Sequence, residues 1–184
     1  TSEASWVPEA EADEGDRDAI NLLRNQKVSI VYAAHGSNYL MVHFTGVSSI
    51  SDSDLNALTK LKDQVIWLNV TDHTLSRPQV ERLTELSNLR MLYLNNTGIT
   101  DSTASSLRHL TDLRYLNLID NSISDLTLNT LDELNNLKRI FLFGTQVTAR
   151  RVKEFAEKHK GIVIDTGGYK LARIPSDTII YRKK

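Results

Sequence analysis

The chain contains no cysteine. Disulfide staples, thiolate metal sites, cysteine nucleophiles and covalent haem attachment are excluded together, while the redox compartment stays open, since a cysteine-free chain is at home in either. Neither charge sign is in excess: 22 Lys and Arg stand against 23 Asp and Glu, for a net charge of −1. That balance offers no cationic surplus to neutralise phosphates, so nucleic acid is not an expected partner. Long apolar runs are missing too. A membrane span needs about 18 apolar residues in a row, and the longest stretches, Val28 to Ala34 and Val65 to Val70, are strand-sized. Direct membrane insertion is therefore not expected. Glycine-rich phosphate cradles are absent, Gly167-Gly168 being an isolated pair after a terminal strand. The chain opens on Thr1 rather than Met, which leaves room for a leader, an anchor or a whole domain upstream.

What remains is an ordinary globular composition, 40% hydrophobic and 24% charged over 184 residues, enough for one domain with a real core. Its dominant feature is internal repetition at a period of 24. From Val65 the blocks read VIWLNVTDHTLSRPQVERLTELSN, LRMLYLNNTGITDSTASSLRHLTD, LRYLNLIDNSISDLTLNTLDELNN and LKRIFLFGTQVTARRVKEFAEKHK. Apolar columns stay in register, among them Leu68/Leu92/Leu116/Ile140, Val70/Leu94/Leu118/Leu142 and Leu83/Leu107/Leu131/Phe155. Each block changes periodicity halfway. Alternation around Leu92 and Leu94 predicts a short strand, whereas Ala104, Leu107 and Leu110 sit at helical spacing. Between the halves, Ile99-Thr100-Asp101 and Ile123-Ser124-Asp125 supply oxygens for the free N–H groups opening a helix. Ser76-Arg77-Pro78 does so in the first block, with proline in the first turn. One such unit cannot bury its own apolar residues, but stacked parallel strands with helices behind them can.

LRMLYLNNTGI and LRYLNLIDNSI resemble the leucine-rich repeat pattern LxxLxLxx(N/T)x(I/L). The column usually held by asparagine is His73, Thr97, Asn121 and Thr145. The expected fold class is α/β: a short leucine-rich repeat solenoid, parallel strands on one face and helices on the other, capped at both ends. Residues 1–15 read as an acidic tether. Residues 16–64 read as an N-terminal cap with a divergent first repeat in which Phe44 matches Leu68. Residues 65–160 hold four repeats, and 161–184 a C-terminal cap and tail with a possible edge strand at Thr178 to Tyr181.

Chemistry-bearing patterns are sparse. His35, His43, His73, His109 and His159 include no pair at the i, i+4 spacing of a zinc site and no HExxH, so neither metal nor cofactor is expected. No GxSxG elbow occurs, and Ser, Thr and Asp at turns are accounted for by capping. Asp52 and Asp54 lack the EF-hand pattern. The surplus residues are those flanking the buried strand leucines. Alternation sends Trp67, Met91, Tyr115 and Arg139, then Asn69, Tyr93, Asn117 and Phe141, then Thr71, Asn95, Ile119 and Phe143 away from the helices. Aromatics and arginine gathered on one outward face are what binding hot spots use. Either a protein partner or an adjoining domain of the same polypeptide would satisfy that face.

KDQVIWLNV, the ITD helix starts, LKRIFLFGTQVT, IVIDTGGY and the preceding DAINLLRNQKVSIVYAAHGSNYLMVHF are together similar to the C-terminal repeats of bacterial membrane proteins, from Bacteroidetes and planctomycetes, that also carry a c-type cytochrome domain. The resemblance implies a noncatalytic, extracytoplasmic (periplasmic) interaction domain of a larger membrane-anchored protein, with the haem held elsewhere by CxxCH. A second reading is a cytoplasmic adaptor resembling the repeats that present substrates to ubiquitin ligases, which share the ITDxxL phrasing but often carry cysteine in the turn column. A third is a hydrolase with a site near the N-terminal cap, built on His35, His43 and a carboxylate.

Overall fold

Strands and helices alternate as the two periodicities dictate. The computed structural model describes residues 6–168; the possible edge strand at Thr178 to Tyr181 lies outside them. An N-terminal helix α1 (Arg17–Asn25) precedes a hairpin of β1 (Ser29–Tyr32) and β2 (Leu40–His43). The repeats follow as α2 (Asp52–Lys60), β3 (Val65–Asn69), α3 (Arg77–Leu83), β4 (Met91–Tyr93), α4 (Asp101–Ala104), β5 (Tyr115–Asn117), α5 (Asp125–Leu131), β6 (Arg139–Phe141), α6 (Ala149–Lys158) and β7 (Val163–Asp165). Among the described residues all seven strands form one sheet in sequence order. Only β1 and β2 are antiparallel; every later pair is parallel. The architecture is an α/β solenoid, strands on one side and helices on the other.

The core is what the columns require. Leu68, Leu92, Leu116 and Ile140 from the strands, and Leu83, Leu107, Leu131 and Phe155 from the helical half, are at most 1% exposed. After β3, β4, β5 and β6 the chain turns through a left-handed residue at the same place, Asp72, Asn96, Asp120 and Gly144, with φ of 64°, 49°, 55° and 70°, and Gly98 adds a second such residue after β4. These types tolerate that region best, and the 24-residue spacing of the four explains why these strands stop at the same place. At Gly144 a Cβ would come within 2.0 Å of Asp120 Oδ1, so a side chain there would both sit in the left-handed region and displace that carboxylate.

Helix starts divide the work of the Thr/Ser-Asp pair. The hydroxyls of Thr100, Ser124 and Thr148 accept from N–H groups of their own helices. The carboxylates instead tie one repeat to the next. Asp101 Oδ1 accepts from Ser124 N at 2.9 Å and from Thr127 Oγ1 at 2.6 Å, and Asp125 Oδ1 accepts from Thr148 N at 2.7 Å. Burial pushes the Asp101 carboxyl up, but the donors of Thr127 and Ser124 outweigh it and hold it below the usual range.

Three expectations need correction. Val42, not Phe44, pairs with Leu68, and the register shifts between Leu40 and Met41; Leu40, Val42 and Phe44 alternate inward and are all buried, so the period of two overrides a fixed 24-residue offset. The helix of the second full block is only Asp101–Ala104, continuing as a 3-10 turn over Ser105–His109. Serine and threonine fill this stretch, and Ser105 Oγ donates to Ser102 O at 2.7 Å, a local competition that weakens the α-helix. Finally, the acidic segment is not a loose tether over residues 6–15. Tyr39 Oη donates to Ala10 O at 2.8 Å, Asn38 Nδ2 to Ala12 O at 2.9 Å, Gln64 Nε2 to Asp13 O at 3.2 Å and Arg90 Nη1 to Trp6 O at 3.2 Å.

The last repeat is fastened electrostatically. Asp132, beyond α5, meets Arg151 at 2.9 Å, Lys158 at 3.1 Å and His159 Nε2 at 3.1 Å from α6 and its C-terminal cap. Its side chain is 19% exposed. Burial pushes this carboxyl up, yet Lys158, His159 and Arg151 together hold it below the usual range. A depressed carboxyl stabilises the fold above its unfolded pKa, near 4, and that contribution is lost as pH falls through the lower folded value. Asp132→Asn is therefore expected to cost about 2 kcal/mol at pH 7, with the gap to wild type closing below pH of about 4 in urea titrations. A gap independent of pH would mean that the cluster acts only through packing.

Candidate functional site

The strand side carries two full columns of outward side chains. Met41, Trp67, Met91, Tyr115, Arg139 and Val163 are in register, and beside them His43, Asn69, Tyr93, Asn117, Phe141 and Asp165. Aromatic rings alternate between the columns, so they run diagonally across the sheet. His43 and Trp67 have centroids 5.2 Å apart, Trp67 and Tyr93 5.8 Å, Tyr93 and Tyr115 4.8 Å, and Tyr115 and Phe141 5.1 Å. These separations suit favourable aromatic pairing. Trp67, Tyr93, Tyr115 and Phe141 do form one contiguous patch, but each is half-buried rather than freely exposed, because the rings cover one another.

The remaining expected face residues separate by role. Asn117 is only 5% exposed and its Oδ1 accepts from Ile119 N at 3.1 Å, as Asn69 Oδ1 does from Thr71 N at 3.0 Å. Both asparagines close the turn after an odd-numbered strand. Met91, Asn95 and Ile119 are half-buried, whereas Arg139 and Phe143 are exposed. Burial pushes the Tyr93 phenol upward, reinforced by its hydrogen bond to Tyr115, and pushes the His43 imidazolium downward. Both groups are therefore neutral near pH 7, and the ladder presents uncharged rings.

Sequence reasoning missed three contributors. Trp6 and Val7 join Ala33, Met41, Ile66, Trp67 and Met91 around a cavity of about 390 Å³ at the strand starts. His43 extends the ladder by one ring. Arg90, Arg114 and Lys138 occupy the same position in three successive blocks, a basic row just before β4, β5 and β6. The signals were there: a Trp-Val pair in an otherwise acidic, polar segment, and a cationic column at the repeat period.

The expected histidine site does not assemble. His35 is exposed in the β1–β2 turn, beside a hollow of about 600 Å³ shared with Glu14, Arg17 and Tyr32, while His43 lies at the other end of β2 against Trp67. Glu14 is paired with Arg17 at 2.9 Å. His73 is buried in the turn column, its two ring nitrogens 2.9 Å from Thr71 O and 2.8 Å from Val47 O. Among the described residues no group of three or more His, Asp or Glu is placed to hold a metal ion, and no helix is long and apolar enough to cross a membrane.

A parallel sheet grown one strand per 24 residues, backed by helices and closed by asparagine and threonine turns, defines a leucine-rich repeat domain. Residues 87–147, about a third of the chain, match the family model described as leucine rich repeat. Among solved structures, an internalin from Listeria monocytogenes is 18% identical, covering 65% of this chain and 41% of that one, with a TM-score of 0.44. A leucine-rich repeat protein of Leptospira interrogans is 17% identical over 59% of this chain and 33% of its own, at 0.41. The leucine-rich repeat ectodomain of a receptor kinase from Arabidopsis thaliana is 16% identical over 86% and 94%, at 0.49. This chain thus spans less than half of the two bacterial proteins. No curated protein matches it. Likenesses this distant say nothing about a ligand.

Proposed function

We propose that this chain is a noncatalytic protein-interaction module whose strand face, centred on the aromatic ladder, binds a protein partner or an adjoining domain of its own polypeptide. The observation that carries the reading is the unbroken run of rings from His43 to Phe141. The inward leucines already supply the core, so these rings are not needed to build the repeat, and aromatics of this kind dominate interface energetics. The context we propose is extracytoplasmic, in a larger membrane-anchored, cytochrome-containing protein; the similarity of KDQVIWLNV, LKRIFLFGTQVT and IVIDTGGY to that family supports it. Reading the full open reading frame tests it: an upstream CxxCH and membrane spans are expected, and a frame lacking both overturns the context.

Size sets the strength. Seven strands at about 4.8 Å spacing give a face about 29 Å across, and the outward positions extend about 13 Å along each strand. A few hundred Å² is well below the roughly 800 Å² per partner of a standard stable interface. Binding by the strands alone is therefore weak, and a partner must also use the rims. In the full-length polypeptide, Tyr93→Ser with Phe141→Ser is expected to reduce face-directed crosslinks at least fivefold. Because the rings are half-buried and stacked, it should cost only about 1 to 2 kcal/mol of stability. Unaltered crosslinking, or outright unfolding, would make the ladder structural.

A further inference from the structure

We propose that the basic row at the strand starts, together with the cavity beside Trp67, docks an extended acidic polypeptide segment carrying apolar side chains. This rests on the interaction-module reading and specifies its partner. The chain's own residues 6–13 show the mode of binding. They cross the starts of β2, β3 and β4, held through main-chain carbonyls of Trp6, Ala10, Ala12 and Asp13. Carbonyl recognition is indifferent to sequence, so selectivity falls to side chains, and those of this segment are acidic at Glu9, Glu11 and Asp13 and apolar at Trp6 and Val7.

Charge continues the path beyond that segment. Arg114 N donates to Arg90 O at 2.8 Å and Lys138 N to Arg114 O at 2.8 Å, so the three cations stand one strand apart, about 4.8 Å each. Such a row repels itself. Burial and the charge of Arg114 both disfavour the Arg90 cation, while Asp112 and Glu9 favour it. Asp112, and after it Glu9 from the crossing segment, thus answer the first member of the row. Lys138 and Arg139, exposed at the far end, extend the same demand for anions two strands further. Among the described residues two donors on this side, Trp67 Nε1 and Arg90 Nε, are buried and without an acceptor. Trp67 borders the cavity of about 390 Å³, which has room for a leucine or phenylalanine side chain, and a carbonyl or carboxylate oxygen is the acceptor its Nε1 calls for. An oligonucleotide would bring anions too, but the net charge of −1 gives it no long-range attraction.

The two tryptophans of the chain, Trp6 and Trp67, both border the cavity, so intrinsic fluorescence of the full chain reports its occupancy. The probes are a capped peptide Glu-Glu-Leu-Glu-Glu-Phe-Glu, its counterpart with every Glu replaced by Lys, its counterpart with Leu and Phe replaced by Ala, and a twelve-nucleotide oligothymidylate. The acidic apolar peptide is expected to shift the emission saturably, and less tightly as salt rises. The alanine peptide should bind at least fivefold more weakly and the lysine peptide not at all. Lys138→Glu with Arg139→Glu, both on the exposed rim, should weaken binding at least tenfold with an unchanged melting temperature. Equal binding by the charge-reversed chain, equal binding of the alanine peptide, or tighter binding of the oligonucleotide would overturn the proposal. If no peptide binds while Tyr93→Ser with Phe141→Ser still reduces crosslinking at least fivefold, this inference falls and the interaction-module reading stands.

Discussion

Truncating Leu116 to alanine is expected to lower stability by about 2 to 5 kcal/mol. Leu116 lies at the centre of β5, in register with Leu92 on one side and Ile140 on the other, and is fully buried. Its loss removes transfer free energy and leaves a hole that parallel backbones hydrogen-bonded on both sides cannot collapse into. Leu126→Ala is the matched control. That leucine is 63% exposed on α5, and its truncation should stay within about 0.5 kcal/mol. Urea titration of the two variants settles the register: similar midpoints would mean that the leucine columns do not face the core.

Asn121→Ala is expected to cost about 3 kcal/mol, although only one side chain of modest size is removed. Its Oδ1 accepts from Ile99 N at 2.9 Å and Thr97 N at 3.2 Å, and its Nδ2 donates to Leu94 O at 2.7 Å and Leu118 O at 3.1 Å. The amide thus ties the turns of two repeats together while 4% exposed. Alanine strands buried backbone donors and acceptors that water cannot reach. Asn121→Thr separates local from cross-repeat bonds. Thr97 and Thr145 each return their hydroxyl to a carbonyl three residues back, at 2.7 Å, so threonine recovers that bond and none of those to the preceding repeat. An intermediate melting temperature is expected, and one equal to wild type would show that the cross-repeat bonds contribute nothing.

The repeat was legible because its determinants are periodic. Leucine columns, left-handed turn residues and hydroxyl caps recur at a fixed spacing, so each repeat checks the others. Legibility fails where the period breaks. The first repeat stands 26 residues from the next rather than 24, the irregularity between Leu40 and Met41 supplying one of the two extra residues, and the serine-rich stretch after Asp101 exchanged an α-helix for a 3-10 turn. The face was half legible. Alternation placed Trp67, Tyr93, Tyr115 and Phe141 outward, but it could not show that diagonal neighbours touch, since that depends on ring size across columns. Docking of residues 6–13 rests on hydrogen bonds to main-chain carbonyls, which leave no mark on the sequence, so the Trp6-Val7 pair is the sign of it that composition carries.

The alternating rings carry an arithmetic of their own. Backbone and core return every 24 residues, but the pattern of the face returns every 48: β3 and β5 present an aromatic followed by asparagine, at Trp67-Asn69 and Tyr115-Asn117, whereas β4 and β6 place the ring second, at Tyr93 and Phe141. The unit that can be copied without damage to the surface is therefore a pair of repeats. Duplicating one repeat would leave the solenoid intact yet set two rings in the same column, or two asparagines, and break the diagonal. Gain or loss of repeats in such a chain is thus free in single steps for folding, but quantised in twos for whatever reads the face.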